Sequence, residues 1–354
     1  MARILHCSDV HLERRFTGAR MTAVEAARRR EELRDALRRI VDLALHSRVD
    51  ALTIAGDLYE HEYATEETGA FLATQLQRLA PMPVLIAPGN HDPYVTGSLY
   101  RRVAWSDNVT VFDSSRWQPV RIAPDVLVWG IGHDGPAMRR DILGELRLRN
   151  RDTAVLLFHG ADVSRPVRDD ASQCPFQAAD VERTGAAFAL VGHEHTWRRS
   201  STFAYPGSPE PLGFFTEGPH YAMLATIDAR SALVEPIQVS RVTYQTVHVD
   251  VSHIPDAAGL HRALESLAAG IDSAAIVRIV LTGERSPTLL AEREALAFAT
   301  ARSLRYVEVV DETRVAAGRA GLGRAGVVDG INGAPSISQA VPFVAAAGGL
   351  ARGP

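Results

Sequence analysis

Short apolar segments alternate with amphipathic segments through the first 240 residues of the chain. The segment from Leu33 to Ala44 places its apolar residues at helical spacing, with arginine and glutamate between them. Strand-like segments lie at 2–9, 51–57, 83–92, 126–132, 154–160 and 187–195. Strands that alternate with helices in this way predict a layered α/β fold.

Several of these strand-like segments end in Asp, Asn or His, at the point where apolar sequence gives way to glycine and polar residues. The loops beyond the carboxyl ends of strands converge in α/β sheets, and functional groups are presented there. Five separate strand ends show the pattern, so a chance origin would require five independent coincidences. We therefore expect the chemistry of the protein at these ends.

The pattern changes at about residue 241. Segments 243–251, 274–283 and 304–310 are strand-like, and helices are predicted near 257–267 and 289–299. We interpret 1–240 as one domain and 241–312 as a second, small α+β domain. Residues 313–354 are rich in glycine and alanine and predict a flexible tail.

Composition is that of an ordinary soluble globular protein, with 46% hydrophobic and 23% charged residues. Two cysteines, Cys7 and Cys174, argue against a disulfide framework and favour a reducing compartment. Strand-like sequence begins at Arg3, which leaves no room for a signal peptide, and no apolar run reaches the length of a membrane span. We expect a cytoplasmic protein with no membrane partner.

The net charge of −4 argues against a general polyanion binder. The 38 basic residues are nevertheless all arginine, which makes better forked contacts to phosphate than lysine does. Coding bias would also explain the absence of lysine, so the positions of the arginines matter more than their number.

The first two motifs supply Asp and His ligands. Asp9 and His11 lie two residues apart after the first strand. Residues i and i+2 of an extended chain point to the same side, so the two side chains could bind one ion. Asp57 follows Gly56 at the end of the next strand, and its two oxygens could bridge two cations. Taken singly, the first pair also fits a polar loop, and Asp57 fits a helix N-cap.

A rarer motif, Gly89-Asn90-His91-Asp92, ends the third strand-like segment. The side-chain oxygen of Asn90 is a neutral ligand for hard cations. His91 could face a substrate while Asp92 fixes the tautomer of its ring. A Gly-Asn turn that carries a solvated histidine is the alternative.

Three further histidines end two strongly apolar strands. His159 follows the first of them, and His193 and His195 follow the second. Histidines at i and i+2 beyond a strand are typical of metal chelation. A structural role would explain His159 alone, but it explains the pair poorly.

Together the candidate ligands supply nitrogen and oxygen donors and no thiolate. The seven residues are Asp9, His11, Asp57, Asn90, His159, His193 and His195. Such a set suits Mn²⁺, Fe²⁺, Zn²⁺ or Mg²⁺, and it is too large for one ion. Two ions about 3.5–4 Å apart, joined by a bridging carboxylate, can activate water and hold a phosphate for in-line attack. The sequence therefore predicts hydrolysis of phosphoesters.

The order Asp-x-His, Gly-Asp, Gly-Asn-His-Asp, His and Gly-His-x-His over residues 1–200 resembles the calcineurin-like metallophosphoesterase superfamily. The segments SDVHLERRF, AGDLYE, APGNHDPY and YPGSPEPLGF are similar to those of the SbcD-type DNA repair exonucleases. The resemblance implies a layered sandwich of two sheets flanked by helices, followed by a small α+β capping domain at 241–312. It also implies exonuclease and endonuclease activity on DNA with two divalent metal ions, usually Mn²⁺. The partners expected from it are DNA, an SbcC-like coiled-coil ATPase and a second copy of the chain in a homodimer.

The resemblance also implies a role for each motif residue. One ion would be held by Asp9, His11 and His195, with Asp57 as the bridge. The other ion would be held by Asn90, His159 and His193. His91 would protonate the leaving oxygen or steady the transferring phosphate, with Asp92 behind it.

Two positions depart from the family pattern. Glu13 stands where many close relatives have glycine, and Glu60 stands where some carry a further histidine. We assign no role to the neighbouring His61, and none to His133, which ends another strand-like segment.

Four arginines flank the candidate ligands. Arg14 and Arg15 follow the first motif, and Arg198 and Arg199 follow His195. Loops from neighbouring strand ends would place their guanidinium groups near the metals, where phosphates beside the scissile one could bind. Surface solubility is the alternative.

Three functions compete on these observations. The first is a DNA exonuclease and endonuclease of SbcD type, and the second is a phosphodiesterase acting on a small molecule such as a cyclic nucleotide. The third is a binding module without catalysis, which the intact ligand set argues against. The fold and ions are common to the first two, so the flanking arginines and the second domain are what favour a polymeric substrate.

Overall fold

The structure is a computed structural model that describes residues 1–16, 21–113, 116–144, 146–148, 152–164, 173–229, 231–286, 289 and 304–315. The helices are α1 (Ala23–Ser47), α2 (Glu66–Gln77), α3 (Leu99–Arg102), α4 (Ala178–Thr184) and α5 (Ala257–Ala269). The first strands are β1 (Ala2–Cys7), β2 (Ala51–Ile54), β3 (Val84–Ile86), β4 (Val109–Val111), β5 (Gln118–Ala123), β6 (Val126–Gly130), β7 (Thr153–His159) and β8 (Phe188–Gly192). The later strands are β9 (Arg198–Arg199), β10 (Phe203–Tyr205), β11 (Tyr221–Ile227), β12 (Ala232–Gln238), β13 (Tyr244–Asp250), β14 (Ile276–Thr282), β15 (Glu284–Arg285), β16 (Tyr306–Asp311) and β17 (Arg314–Val315).

The first sheet has the order β12-β11-β1-β2-β3-β4, and the four strands β1 to β4 are parallel. One face of it packs against α1 and α2. The residues predicted at helical spacing between Leu33 and Ala44 are buried on α1, which confirms that helix. Thr22 begins α1 by accepting a hydrogen bond from the backbone of Glu25 at 3.2 Å, as an N-cap does.

The second sheet has the order β5-β6-β7-β8-β10-β9, with β6, β7, β8 and β10 parallel. Successive side chains along a strand point to opposite faces. Val155 and Leu157 of β7 therefore contact the first sheet, whereas Leu156 and Phe158 pack on the outer face of the second. Burial on both faces explains why these strands are continuously apolar in the sequence. The two stacked sheets with helices outside them confirm the layered α/β sandwich.

Residues 241–315 contribute a third sheet of parallel strands, ordered β13-β14-β16, and the helix α5. The buried guanidinium group of Arg305 pairs with Glu25 and Glu32 on α1, which ties this part to the first sheet. All described residues belong to one compact unit, Met1–Ala316. The domain boundaries at 240 and 312 stay predictions. Two predictions lie outside the described residues. They are the helix near 289–299, of which only residue 289 is described, and the tail beyond residue 315.

No helix in the part of the chain that the structure describes is both long enough and apolar enough to cross a membrane.

Candidate metal centre

The candidate ligands follow the carboxyl ends of five strands. Three of these strands, β1, β2 and β3, are neighbours in the first sheet, and two, β7 and β8, are neighbours in the second. Because the two sheets pack face to face, both groups of ends meet at one edge of the sandwich. The structure thus brings together side chains that are separated by as many as 186 positions in the chain, as Asp9 and His195 are.

The backbone at this edge is unusual. Four of the candidate ligands have positive φ angles: 54° at Asp9, 51° at His11, 50° at Asp57 and 112° at His193. Left-handed backbone is uncommon outside glycine, and it concentrates at functional sites. The donor atoms of Asp9 and His11 do lie together, as predicted, but the extended backbone that we expected to bring them there was wrong. The two residues are placed by hydrogen bonds from their backbone N–H groups to the carbonyls of Gly56 (3.0 Å) and Asp57 (2.9 Å).

The glycine before Asp57 is required by close packing. Gly56 has a φ of 78°, and a Cβ atom there would lie 2.6 Å from the backbone nitrogen of Gly89 and 2.7 Å from Nδ1 of His159. Any side chain would push apart the loops after β2 and β3. The Gly-Asp motif is thus part of what brings the candidate ligands together.

Asp57 lies at the centre of the site. Its Oδ2 atom is 3.6 Å from Nε2 of His11 and 3.5 Å from Nε2 of His159. Its Oδ1 atom accepts a hydrogen bond of 2.8 Å from the backbone N–H of His91. One carboxylate therefore faces imidazoles from both sheets, which is the arrangement a bridging ligand requires.

Two groups of donors flank Asp57. On one side, Nε2 of His195 lies 3.3 Å from Nε2 of His11 and 3.7 Å from Oδ1 of Asp9. On the other side, Nε2 of His159 lies 3.0 Å from Oδ1 of Asn90. The ring of His193 stands beside that of His159, with 5.2 Å between the ring centroids. This division into two groups matches the one that the resemblance implies, and the assignment of individual ligands stays a proposal.

The tautomers of the buried imidazoles suit metal binding. Nδ1 of His159 donates to the carbonyl of Ala55 at 2.8 Å, and Nδ1 of His11 bonds the carboxylate of Glu60 at 2.9 Å. An imidazole that donates from Nδ1 carries its lone pair on Nε2, and Nε2 faces Asp57 in both rings. Burial lowers the pKa of His159 to about 3, and burial together with the neighbouring His11 lowers that of His195. The rings of His159 and His195 are therefore neutral, as metal ligands must be.

The carboxylates concentrate negative charge in the same volume. Asp9 is fully buried, and burial together with the charge of Asp57 raises its pKa. Burial opposes ionisation of Asp57 too, but its histidine neighbours hold its pKa far below the usual range. Donor atoms within 4.8 Å of one another form three triads: Asp9, His11 and His195; His11, Asp57 and His91; and Asp9, Asp57 and His159. The donor set fits divalent cations, because buried carboxylates need positive partners.

Glu60 belongs to the site, although the motifs marked it only as a departure from the family pattern. Its Oε1 atom is 2.9 Å from Nδ1 of His11, and its Oε2 atom is 2.8 Å from Nδ1 of His91. One carboxylate thus orients a candidate ligand and the candidate acid together. Burial opposes protonation of His91, but the hydrogen bond and charge of Glu60, with the charge of Asp57, raise its pKa to about 9.

Asp92 has a different role from the one predicted. Its oxygens accept hydrogen bonds from the backbone N–H groups of Asp57 (2.9 Å), Leu58 (2.7 Å) and Gly89 (2.6 Å) and from the hydroxyl of Tyr100 (2.5 Å). The prediction that Asp92 stands behind His91 and fixes its tautomer was wrong, because Glu60 makes that contact. Asp92 instead joins the loops after β2 and β3, from which Asp57 and Asn90 project.

We expect Glu60→Gln to move the pH dependence of hydrolysis. Activity that needs protonated His91 falls as pH rises through the pKa of that ring. Loss of the negative partner lowers this pKa, so the decline should begin at lower pH, with activity about 10–100-fold lower at its optimum. Rates measured across pH with a chromogenic phosphodiester test this. Glu265→Gln, at an exposed carboxylate of α5 outside the site, is the control, and an unchanged pH profile in Glu60→Gln would contradict the assignment.

The four candidate arginines are placed unequally. Arg14 reaches the site, with NH1 3.5 Å from Oε1 of Glu60, and the guanidinium carbon of Arg15 lies 4.0 Å from the ring centroid of Tyr63. Arg198 forms an ion pair with the buried Asp162. Arg199 donates to the carbonyl of Ala232 at 3.2 Å.

The prediction that all four guanidinium groups lie beside the metal ligands was wrong for Arg199. Ala232 pairs with Ile227, which pairs with Ala2 at the amino end of β1, whereas Asp9 follows the carboxyl end of that strand. Alternation along β9 sends the side chains of Arg198 and Arg199 to opposite faces. Arg14, Arg15 and Arg198 remain candidates for contact with a phosphate, and the guanidinium group of Arg198 is already paired with Asp162.

His133 supports the site from behind. Its ring lies 5.4 Å from that of His159 between centroids, and its Nε2 atom is 2.9 Å from the carbonyl oxygen of His159. Burial lowers the pKa of His133, so it is a neutral ring that donates to this carbonyl. This hydrogen bond helps to fix the backbone of His159 at the end of β7.

Comparisons with known proteins agree with the geometry. Residues 2–197 match the model of the calcineurin-like phosphoesterase family. An uncharacterized metallophosphoesterase, YhaO of Bacillus subtilis, is 24% identical over 302 residues, which cover 81% of this chain and 73% of that protein. The DNA double-strand break repair protein Mre11 of Saccharolobus solfataricus is 26% identical over 323 residues, covering 84% of this chain and 79% of that protein.

A second archaeal protein of the same description, Mre11 of Aeropyrum pernix, is 26% identical over 272 residues, which cover 71% of this chain and 64% of that protein. The match to the family extends over more than half of the chain and contains all seven candidate ligands. This confirms the resemblance found in the motifs. The chain belongs to the calcineurin-like phosphoesterase family and is a metal-dependent phosphoesterase.

Proposed function

We propose that this protein is a DNA nuclease of SbcD type, with exonuclease and endonuclease activity in DNA repair. The observation that carries the hydrolytic chemistry is the position of Asp57, whose Oδ2 atom lies 3.6 Å and 3.5 Å from imidazole nitrogens of the two sheets. The choice of DNA is supported by the similarity to Mre11 proteins, which are described as acting in double-strand break repair.

The proposal includes two divalent cations. Asp9, His11 and His195 would hold one, Asn90, His159 and His193 the other, and Asp57 would bridge them. Mn²⁺ suits this mixture of imidazole and oxygen donors, which contains no thiolate. When bound, such ions neutralise charge on the phosphate and activate the attacking water.

His91 supplies the proton in this proposal. Glu60 holds its Nδ1 atom, so Nε2 is the nitrogen that can deliver a proton to the leaving oxygen. The ring is 42% exposed and lines a cavity of about 580 Å³ together with Asn90 and Pro93. A leaving nucleoside would occupy this cavity. Arg14, beside Glu60, would contact a phosphate next to the scissile one.

The expected partners follow from the same proposal. DNA is the substrate. An SbcC-like coiled-coil ATPase, a homodimer and a cytoplasmic location stay predictions.

The proposal is tested by incubating the purified full-length protein with linear duplex DNA, single-stranded DNA and a chromogenic phosphodiester. Parallel reactions would contain Mn²⁺, Mg²⁺, Zn²⁺ or EDTA. We expect DNA to be degraded, fastest with Mn²⁺ and not at all with EDTA. Rapid hydrolysis of the small ester beside intact DNA would overturn the nuclease assignment and favour a small-molecule phosphodiesterase.

A further inference from the structure

A second cavity, of about 460 Å³, opens between the two-sheet sandwich and the third sheet. Its basic lining residues are Arg14 and Arg15, from the loop after His11, and Arg278 of β14. Its aromatic residues include Phe214, Phe215 and Tyr244. None of the described residues that line it carries a carboxylate, whereas Glu60 and Glu62 line the cavity beside His91. Phosphate charge is therefore favoured in this second cavity.

The cavity begins beside the candidate ligands. The ring centroid of Phe215 lies 6.1 Å from that of His195. Arg14, which also lines the cavity, lies 3.5 Å from Glu60. A strand whose scissile phosphate sits at Asp57 would thus enter this cavity with its adjacent nucleotide.

Two side chains in the cavity, those of Arg278 and Phe215, are placed so that a ligand could contact them. The guanidinium carbon of Arg278 lies 4.1 Å from the ring centroid of Phe214. The Nε atom of Arg278 donates to Glu308. The two terminal nitrogens of Arg278 take no part in that bond and could contact a phosphate. Phe215 is 61% exposed, which is high for so large an apolar side chain. A flat exposed ring beside oriented guanidinium groups is typical of sites that bind unpaired bases.

Tyr244 forms part of the wall of the cavity. It is 1% exposed, and its ring packs edge-on against that of Phe214 with 4.8 Å between the centroids. The guanidinium carbon of Arg29 lies 5.6 Å from the centroid of the Tyr244 ring. These contacts fix the wall against which a nucleotide would bind.

We propose that this cavity binds one unpaired nucleotide of the substrate strand, next to the scissile phosphate. Its phosphate would contact Arg15 and Arg278, and its base would stack on Phe215. The inference rests on the proposed nuclease function and adds a preference for single-stranded ends. A volume of about 460 Å³ lies within the range of about 300–1,000 Å³ found for small-ligand sites, so one nucleotide is a reasonable occupant.

Binding of labelled DNA to the full-length protein tests the proposal without catalysis. Fluorescence anisotropy would be measured in EDTA with a fluorescein-labelled oligothymidylate and with a duplex of equal length. The variants are Phe215→Ala and Arg278→Gln. The matched control is Arg262→Gln, which removes an exposed charge from α5 outside the cavity. Circular dichroism would verify the fold of each variant.

We expect Phe215→Ala to weaken single-strand binding roughly 5- to 150-fold, the range for loss of one stacked base, and duplex binding much less. Arg278→Gln should weaken binding and reduce the slope of log affinity against log salt by about 0.7. Arg262→Gln should change neither. If the protein degrades DNA but both cavity variants bind the single strand as the control does, the nucleotide site is excluded and the nuclease function stands. If the wild-type protein neither binds nor degrades DNA, both proposals fall.

Discussion

Asp57→Asn is expected to lower phosphodiester hydrolysis by about a thousandfold or more. The carboxylate faces imidazoles from both sheets, at 3.6 Å from His11 and 3.5 Å from His159. An amide has one oxygen and no charge, so it can no longer bridge two cations. Metal ions contribute several kcal/mol to stabilisation of the transition state, and each 1.36 kcal/mol is a tenfold change in rate.

Asparagine is the appropriate replacement because it keeps the shape of the side chain. It also tolerates left-handed backbone, which Asp57 adopts with a φ of 50°. The measurements are the turnover of a chromogenic phosphodiester and the metal content by elemental analysis. Asp134→Asn, at an exposed aspartate near the site, is the control. Activity within tenfold of wild type, with two ions still bound, would show that Asp57 is not the bridge.

His91→Ala and His193→Ala should separate catalysis from metal binding. His91 is 42% exposed and is assigned to proton transfer, so its loss should leave both ions bound and lower turnover about 10²–10⁴-fold. His193, whose ring lies 5.2 Å from that of His159, is assigned as a ligand, and its loss should empty one site.

Elemental analysis decides between these roles. His91 also belongs to a triad of donor atoms with His11 and Asp57, so a ligand role has a geometric basis that the metal content must exclude. Metal lost from His91→Ala but retained in His193→Ala would reverse the two assignments. Adding excess Mn²⁺ gives an independent readout, because it should restore activity to His193→Ala and leave His91→Ala inactive.

Much of the fold follows from the hydrophobic pattern. Strands such as β7 are buried on both faces, so their residues are apolar without interruption, and the polar residue that ends the run is conspicuous. His159 was found in this way, and so were Asp57 and the pair after β8. The convergence of these ends is a general property of stacked parallel strands and needs no knowledge of side-chain contacts.

The residues that the sequence did not assign correctly depend on contacts between distant segments. Glu60 bonds His11 and His91, which are 49 and 31 positions away, and no local pattern marks such a carboxylate. Asp92 was assigned to His91 because the two are adjacent, but its oxygens are taken by backbone N–H groups of another loop. The strand β9 has only two residues, too few to show an alternation of apolar and polar positions. The sequence therefore could not show that the side chain of Arg199 points away from the candidate ligands.

The most direct test of the account is a crystal structure of the full-length protein with Mn²⁺, measured at the manganese absorption edge. We predict two anomalous peaks about 3.5–4 Å apart, one on each side of the Asp57 carboxylate. The peak on one side should contact Asp9, His11 and His195, and the other should contact Asn90, His159 and His193. A single peak, or peaks away from Asp57, would contradict the pair of bridged cations.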